Sequence, residues 1–274
     1  MVKFQISCME CLKENGQPNF FFQTAEINND FYFVTKCAKG HITMTVLQEE
    51  RFEILFDFAC SAFLDGYYRD AVSNAAAAVE RLHEFVVKVI VINSLINGDS
   101  DNASLIDSKI KQFEDKIWKK MKNQSERQLG AFYLAYFNTF NHEAPNFVEK
   151  NAELRNNTIH KGYIPSKEEA KLYLSGTFNY MLDVLAPLKI EFKESISILT
   201  KRNINNIISK NKNNKYPVST LANTSVINLL SGEKNWEKRN FDAELNNFID
   251  KNEHMKFLEK LSESSTLKKD IGER

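Results

Sequence analysis

The chain has 274 residues, enough for one large domain or two small ones and for a sizeable buried core. With Gly 9 and Pro 5 it holds too few turn formers for a β-sandwich or barrel, and 43% hydrophobic with 12% aromatic residues excludes a wholly disordered chain. Lys+Arg 36 against Asp+Glu 36 leaves a formal charge of zero, so any nucleic-acid contact has to come from a local patch.

The opening residues, MVKFQISCME, carry no charged region followed by an apolar run, and no signal peptide is expected. The longest apolar stretch, Phe85 to Ile92, is interrupted by Lys88 and is too short to span a bilayer. The expectation is a soluble, cytoplasmic chain with no membrane partner. Three of the four cysteines crowd the N-terminus, a pattern that suits a metal site in a reducing compartment better than a disulfide scaffold.

Residues 1–47 read as a small β module. Phe20-Phe21-Phe22 and Phe31-Tyr32-Phe33-Val34-Thr35 are strand-like, and Asn28-Asn29-Asp30 between them is a turn signal, which predicts a β-hairpin. Cys8-x2-Cys11 precedes the hairpin and Cys37-x3-His41 follows it. Two ligand knuckles joined by a hairpin make a zinc-ribbon-like arrangement, in which thiolate and imidazole suit a structural Zn²⁺ with no open position for catalysis. The second spacing is one residue longer than the commonest knuckle, and the alternative is four ordinary residues beside a strand. Cys60 lies inside a helical pattern and reads as core.

From Gln48 the period becomes 3.6. Phe52, Leu55, Phe56, Ala59 and Phe63 form the stripe of a first helix ending near Gly66. A second runs from about Tyr68 to Leu95, with Ala75–Ala78 allowing close approach of a neighbour and Asn97-Gly98-Asp99 as its stop. Residues 104–122 suggest a polar helix with a basic end, and Ser125 to Phe140 a more apolar one. A further helix is expected from near Asn146 to near Lys161, with Gly162 as its C′ residue. Ser166 with Glu169 is a capping box opening the next, whose stripe is Tyr173, Thr177, Tyr180, Met181, Val184 and Leu188. Thr200 to Pro217 is rich in Lys and Asn and reads as a linker or loosely packed helix. Residues 218–262 regain a helical pattern, and the last dozen read as frayed. The predicted organisation is 1–47, a zinc-ribbon-like module; 48–192, a helical bundle; and 193–274, a linker and helical extension.

In the helix before Gly162 the seam Val148, Ala152, 155, Ile159 places Arg155 among apolar positions, which is costly unless something anionic or hydrogen-bonding meets it. His160 lies about 140° further round, but Asn156 and His160 share a face, and the long Arg155 side chain reaches sideways. The three can line one groove edge at the helix end. An alternative pairs Arg155 with an acid such as Glu80 or Glu84 and leaves His160 to cap the helix.

The segment Leu154-Arg155-Asn156-Asn157-Thr158-Ile159-His160-Lys161-Gly162 resembles the Arg-x4-His motif of the HEPN family, in which the residue after the Arg is commonly polar. The resemblance covers roughly residues 48–192. It implies a mainly α fold, a HEPN-like four-helix core with an extra helical insertion, and a metal-independent endoribonuclease that works as a homodimer. His160 would be the base that deprotonates the 2′-OH of RNA, Arg155 would bind phosphoryl oxygens, and Asn156 would hold the phosphate or orient His160. The products would be a 2′,3′-cyclic phosphate and a 5′-OH, and DNA would not be cut. In this family such activity commonly serves toxin or anti-phage defence roles, which implies a gate such as a regulatory partner protein. One variant of the family carries a Tyr two residues after the His, which a partner nucleotidyltransferase modifies. This chain has Gly162 there and Tyr163 third, and departs from that variant. Some members keep the fold without catalysis, so a second reading is an adaptor that dimerises through the bundle and binds a partner or nucleic acid through the ribbon.

Of the remaining residues, His83, three after Glu80, could support the active site but reads rather as a satisfied, half-buried histidine, and His142, Glu143 and His254 read as surface residues. Lys109, Lys111, Lys116, Lys119, Lys120 and Lys122 form a basic stretch that can hold RNA phosphates or simply be a solvated face.

Overall fold

The computed structural model describes residues 3–16, 19–24, 29, 31–99, 103–122, 124–148, 151–210, 216–222, 225–231, 236–251 and 253. The chain divides into two compact units. One comprises residues 1–48, 201–224 and 245–274, the other 49–200 and 225–244. The predicted C-terminal region is thus shared between the two. Among the described residues no helix is long and apolar enough to cross a membrane.

The first unit opens with β1 (Lys3–Cys8), α1 (Met9–Asn15) and β2 (Asn19–Thr24), and continues with β3 (Tyr32–Lys36) and β4 (Ile42–Leu47). Among the described residues the two aromatic runs do not pair with each other as the expected hairpin. β2 pairs antiparallel with β1, with Ile6 opposite Phe21, and β3 pairs antiparallel with β4, with Val34 opposite Met44. Each aromatic run has a partner strand on its far side, which short-range turn signals do not reveal. Of the predicted turn, Asn28 and Asp30 lie outside the described residues.

A second correction concerns residues 218–221. They form β5 (Val218–Leu221), which adds to β4 in parallel with Thr45 opposite Ser219, so the sheet order is β3-β4-β5. Four residues hold too few turns to display a period. The edge of β4 decides their conformation, and β4 is itself buried along most of its length. Hydroxyls pair across this sheet, Thr35 with Thr43 at 3.3 Å where both are buried, and Thr45 with the half-buried Ser219 at 3.0 Å.

The second unit is a helical bundle. α2 (Arg51–Leu64) starts at a reciprocal cap between Glu50 and Glu53, and Phe52, Phe56, Ala59 and Phe63 of the predicted stripe are buried. α3 (Tyr68–Asp99) is the central element and packs on α2, α6, α7 and α8. It continues four residues past its predicted end. The polar segment is α4 (Ala103–Phe113), a π-helical turn (Glu114–Trp118) and α5 (Lys119–Met121); α6 (Ser125–Phe140) follows. α7 (Ala152–His160) begins six residues later than the periodicity suggests. Residues 146–148 are not helical, and the buried Phe147 ring packs there on Tyr173 and Tyr180. Gly162 takes the left-handed conformation expected of C′, with φ +72°, and the N–H groups of Lys161 and Tyr163 return to the Asn157 carbonyl.

α8 (Lys167–Glu191) opens with the predicted box: the Ser166 N–H donates to Glu169 and the Glu169 N–H to Ser166 Oγ. All six predicted stripe residues are buried. α9 (Lys193–Lys210) is a helix through the first half of the predicted linker, and residues 211–215 lie outside the described ones. Residues 225–231 form a strap held by buried acids and bases. Glu53 accepts from the Leu229 N–H at 2.7 Å and Ser225 Oγ at 3.2 Å, while Lys189 donates to the carbonyls of Leu229 and Ser231. A 3₁₀ turn (Trp236–Lys238) precedes Arg239, which donates to the Val226 and Ile227 carbonyls, and the backbone is helical again at 241–251. The predicted apolar positions beyond residue 253 and the frayed end lie outside the described residues.

Candidate functional site

In the bundle, an open groove of about 830 Å³ runs over the Ala-rich part of α3. α3 supplies its floor, where Ala76 and Ala77 are too small to fill the space. The C-terminal half of α7 lines it with Arg155, Asn156 and His160, followed by Lys161. Lys122, the start of α6, Phe147, Val148 and Tyr173 line the rest. All three residues of the predicted motif therefore meet one cavity, although α7 itself is shorter than expected.

Arg155 is half-buried, and its Nη2 donates to Glu80 Oε1 of α3 at 2.6 Å while Nη1 donates to Asn156 Oδ1 at 3.0 Å. The inward arginine finds an anionic partner, and that partner sits in the groove floor. A guanidinium carries five N–H donors, and these two bonds leave three for other acceptors. His160 is exposed at the groove end. Tyr173 also lines the groove, and burial holds its phenol well above the usual range, so it remains a neutral hydroxyl. Glu84, the other acid weighed for Arg155, is engaged elsewhere: Arg81, Lys88 at 2.8 Å and the Trp118 indole N–H at 3.1 Å all converge on it.

His83 is fully buried rather than half-buried. Its Nε2 lies 2.6 Å from Tyr180 Oη, and its ring stacks on Phe132 with centroids 4.2 Å apart. Burial, helped by the nearby Arg81 charge, lowers its pKa to about 3. His142 and Glu143 are exposed, as expected, and His254 lies outside the described residues.

The second site lies in the N-terminal unit. Cys8 ends β1, Cys11 lies in the first turn of α1, and Cys37 and His41 bracket the β3–β4 turn. That turn closes through a 3.0 Å bond from the Cys37 N–H to the His41 carbonyl, with Gly40 at φ +87°, a value that side chains rarely tolerate. One ligand atom from each of the four residues falls within 4.8 Å of all the others. Cys11 Sγ is 3.9 Å from Cys37 Sγ and 3.4 Å from His41 Nδ1, and Cys8 Sγ is 3.7 Å from the same nitrogen. Ligand atoms about 2.0–2.3 Å from the centre of a tetrahedron stand roughly 3.5–3.8 Å apart, so the spacing is compatible with a structural metal site. Burial and the neighbouring Cys8 and Cys37 raise the Cys11 thiol to about 11, a cost that a bound cation would relieve. Cys60 is buried in α2, far along the chain from this cluster, as its core reading requires.

Sequence reasoning missed Glu14, whose Oε1 lies 3.1 Å from His41 Nε2, on the side of the ring away from the thiols. Only the fold brings these two together across 27 positions. Compared with protein-family models, with curated proteins and with solved structures, the chain finds no match.

Proposed function

We propose that the chain is a HEPN-type endoribonuclease acting as a homodimer in the cytoplasm, with a toxin or anti-phage defence role, and that Cys8, Cys11, Cys37 and His41 hold a structural zinc ion. The observation that carries the first reading is that Arg155, Asn156 and His160 line one open groove, with Arg155 fixed by Glu80 at the cavity floor. Fixing a guanidinium in advance lowers the reorganisation needed when charge develops on a phosphoryl group.

In this reading the scissile phosphate sits over Arg155, whose three uncommitted N–H groups meet its oxygens. His160 takes the proton of the adjacent 2′-OH as general base. The 2′-oxygen forms a new bond to phosphorus, the bond to the 5′-oxygen breaks, and that oxygen takes up a proton from water, which balances the proton that His160 removed. Asn156, bonded to Arg155, holds the phosphate or orients His160. For the metal centre, a donor set of three thiol sulfurs and one imidazole nitrogen, all within 4.8 Å of one another, favours zinc. Zinc would tie the β1–α1 junction to the β3–β4 turn, with four protein ligands and no open position.

The Arg155–Glu80 ion pair is also what a purely structural arginine would make, and it supports the second reading, a non-catalytic adaptor. Incubating the purified protein with RNA and matched DNA separates the two. The parent should cut RNA alone and leave 2′,3′-cyclic phosphate ends. Arg155→Ala and His160→Ala should each lose on the order of 10²-fold or more in rate while melting like the parent. Uncut RNA with the parent, or equal cutting by both variants, rejects the enzyme and leaves the adaptor.

A further inference from the structure

The basic stretch from Lys109 to Lys122 carries six lysines, and the fold separates them. Only Lys122 among them lines the Arg155–His160 groove. Its position is held by its backbone: the Lys122 N–H donates to the Trp118 carbonyl at 2.9 Å, and its carbonyl accepts from the buried Gln128 amide at 2.6 Å. Gln128 Oε1 in turn accepts from Arg81 of α3 at 2.9 Å. A half-buried polar chain thus ties Lys122, at the end of α5, to α3.

Charge in the groove is unevenly committed. Arg155 is paired with Glu80 and Arg81 with Glu84. Lys122 and Lys161 enter no ion pair among the described residues, and Lys161 follows directly on His160. Glu126 also lines the groove and enters no ion pair among the described residues, so two ammonium groups on different elements stand against one carboxylate around a neutralised centre, and this net positive rim suits an anionic polymer better than a single small anion.

We infer that Lys122 and Lys161 are phosphate subsites flanking the cleavage position, so that a single-stranded RNA crosses α3 between the end of α7 and the start of α6. The inference rests on the ribonuclease reading of the same groove. It assigns these lysines to strand binding and leaves Lys109, Lys111, Lys116, Lys119 and Lys120 as a solvated face.

The test measures binding of a labelled single-stranded RNA of mixed sequence against salt, using full-length His160→Ala protein so that cleavage does not intervene. Adding Lys122→Gln should weaken binding several-fold for all sequences and flatten the log K against log salt slope by about 0.7, one phosphate contact on a single strand. Lys122→Arg should retain the slope, and Lys119→Gln or Lys120→Gln should leave it untouched. The subsite is overturned by an unchanged slope in Lys122→Gln, by an equal loss in the Lys119 or Lys120 variants, or by absence of RNA binding. If the parent fails to cut RNA while the slope loss remains confined to Lys122, the nuclease reading falls and the subsite stands.

Discussion

His83 illustrates how burial redirects a residue that could have served catalysis. Stacked on Phe132 and bonded to Tyr180, it is held neutral, with a pKa lowered to about 3 by desolvation and by Arg81. The unfolded chain binds its proton near pH 6.5, so the folded state is favoured fully above that value and loses this contribution as pH falls toward 3. Each pH unit in that window costs up to about 1.4 kcal/mol. Glu53 has the opposite sign, because burial raises its carboxyl, and its contribution is lost as pH rises through that raised pKa. Comparing His83→Gln with the parent cancels Glu53. Chemical denaturation between pH 6.5 and 4.5 should show a shallower decline for the variant, and parallel curves would refute the assignment.

At the level of elements, the groove depends on how the segment before α7 meets α8. The Phe147 ring lies 5.5 Å from Tyr173 and 5.4 Å from Tyr180, measured between centroids, and a Cβ added at Gly176 would lie 2.7 Å from Phe147 Cε2. The ring is buried on these neighbours and has little room to yield. Gly176→Ala therefore sets an overpacking cost of ~1–3 kcal/mol against the ~1 kcal/mol that Ala gains inside a helix. The variant should melt below the parent, and Phe147→Leu should recover part of the loss. A melting point above the parent's would show that the contact is soft.

Across the whole chain, the division into two units is not a division of the sequence into two segments. The boundaries after residues 48, 200, 224 and 244 mean that the backbone passes between the units four times. Each unit is completed by distant sequence: β5 extends β4, and the 225–231 strap caps the buried Glu53 of α2. The Cys/His cluster serves the first unit alone, joining elements that otherwise belong to separate sheets. Metal analysis of the purified protein should find about one zinc per chain. Cys8→Ser and Cys37→Ser should each lose it and show faster hydrogen exchange in β1 and β4. Full zinc retention in both variants would sink the site.

Periodicity and local chemistry determined the helices of the bundle, the capping box at Ser166, the left-handed Gly162 and the grouping of Cys8, Cys11, Cys37 and His41. Each of these depends on residues within a few turns of one another or on a ligand spacing visible along the chain. Tertiary structure alone decided which strands pair, that 218–221 is a strand, where α7 starts, and which acid meets Arg155. It also decided that Lys122, of six similar lysines, faces the groove. Except across β3–β4, where Lys36 faces Ile42, the partner lies more than ten residues away, and burial against that partner outweighs the weak local preference that a sequence pattern records.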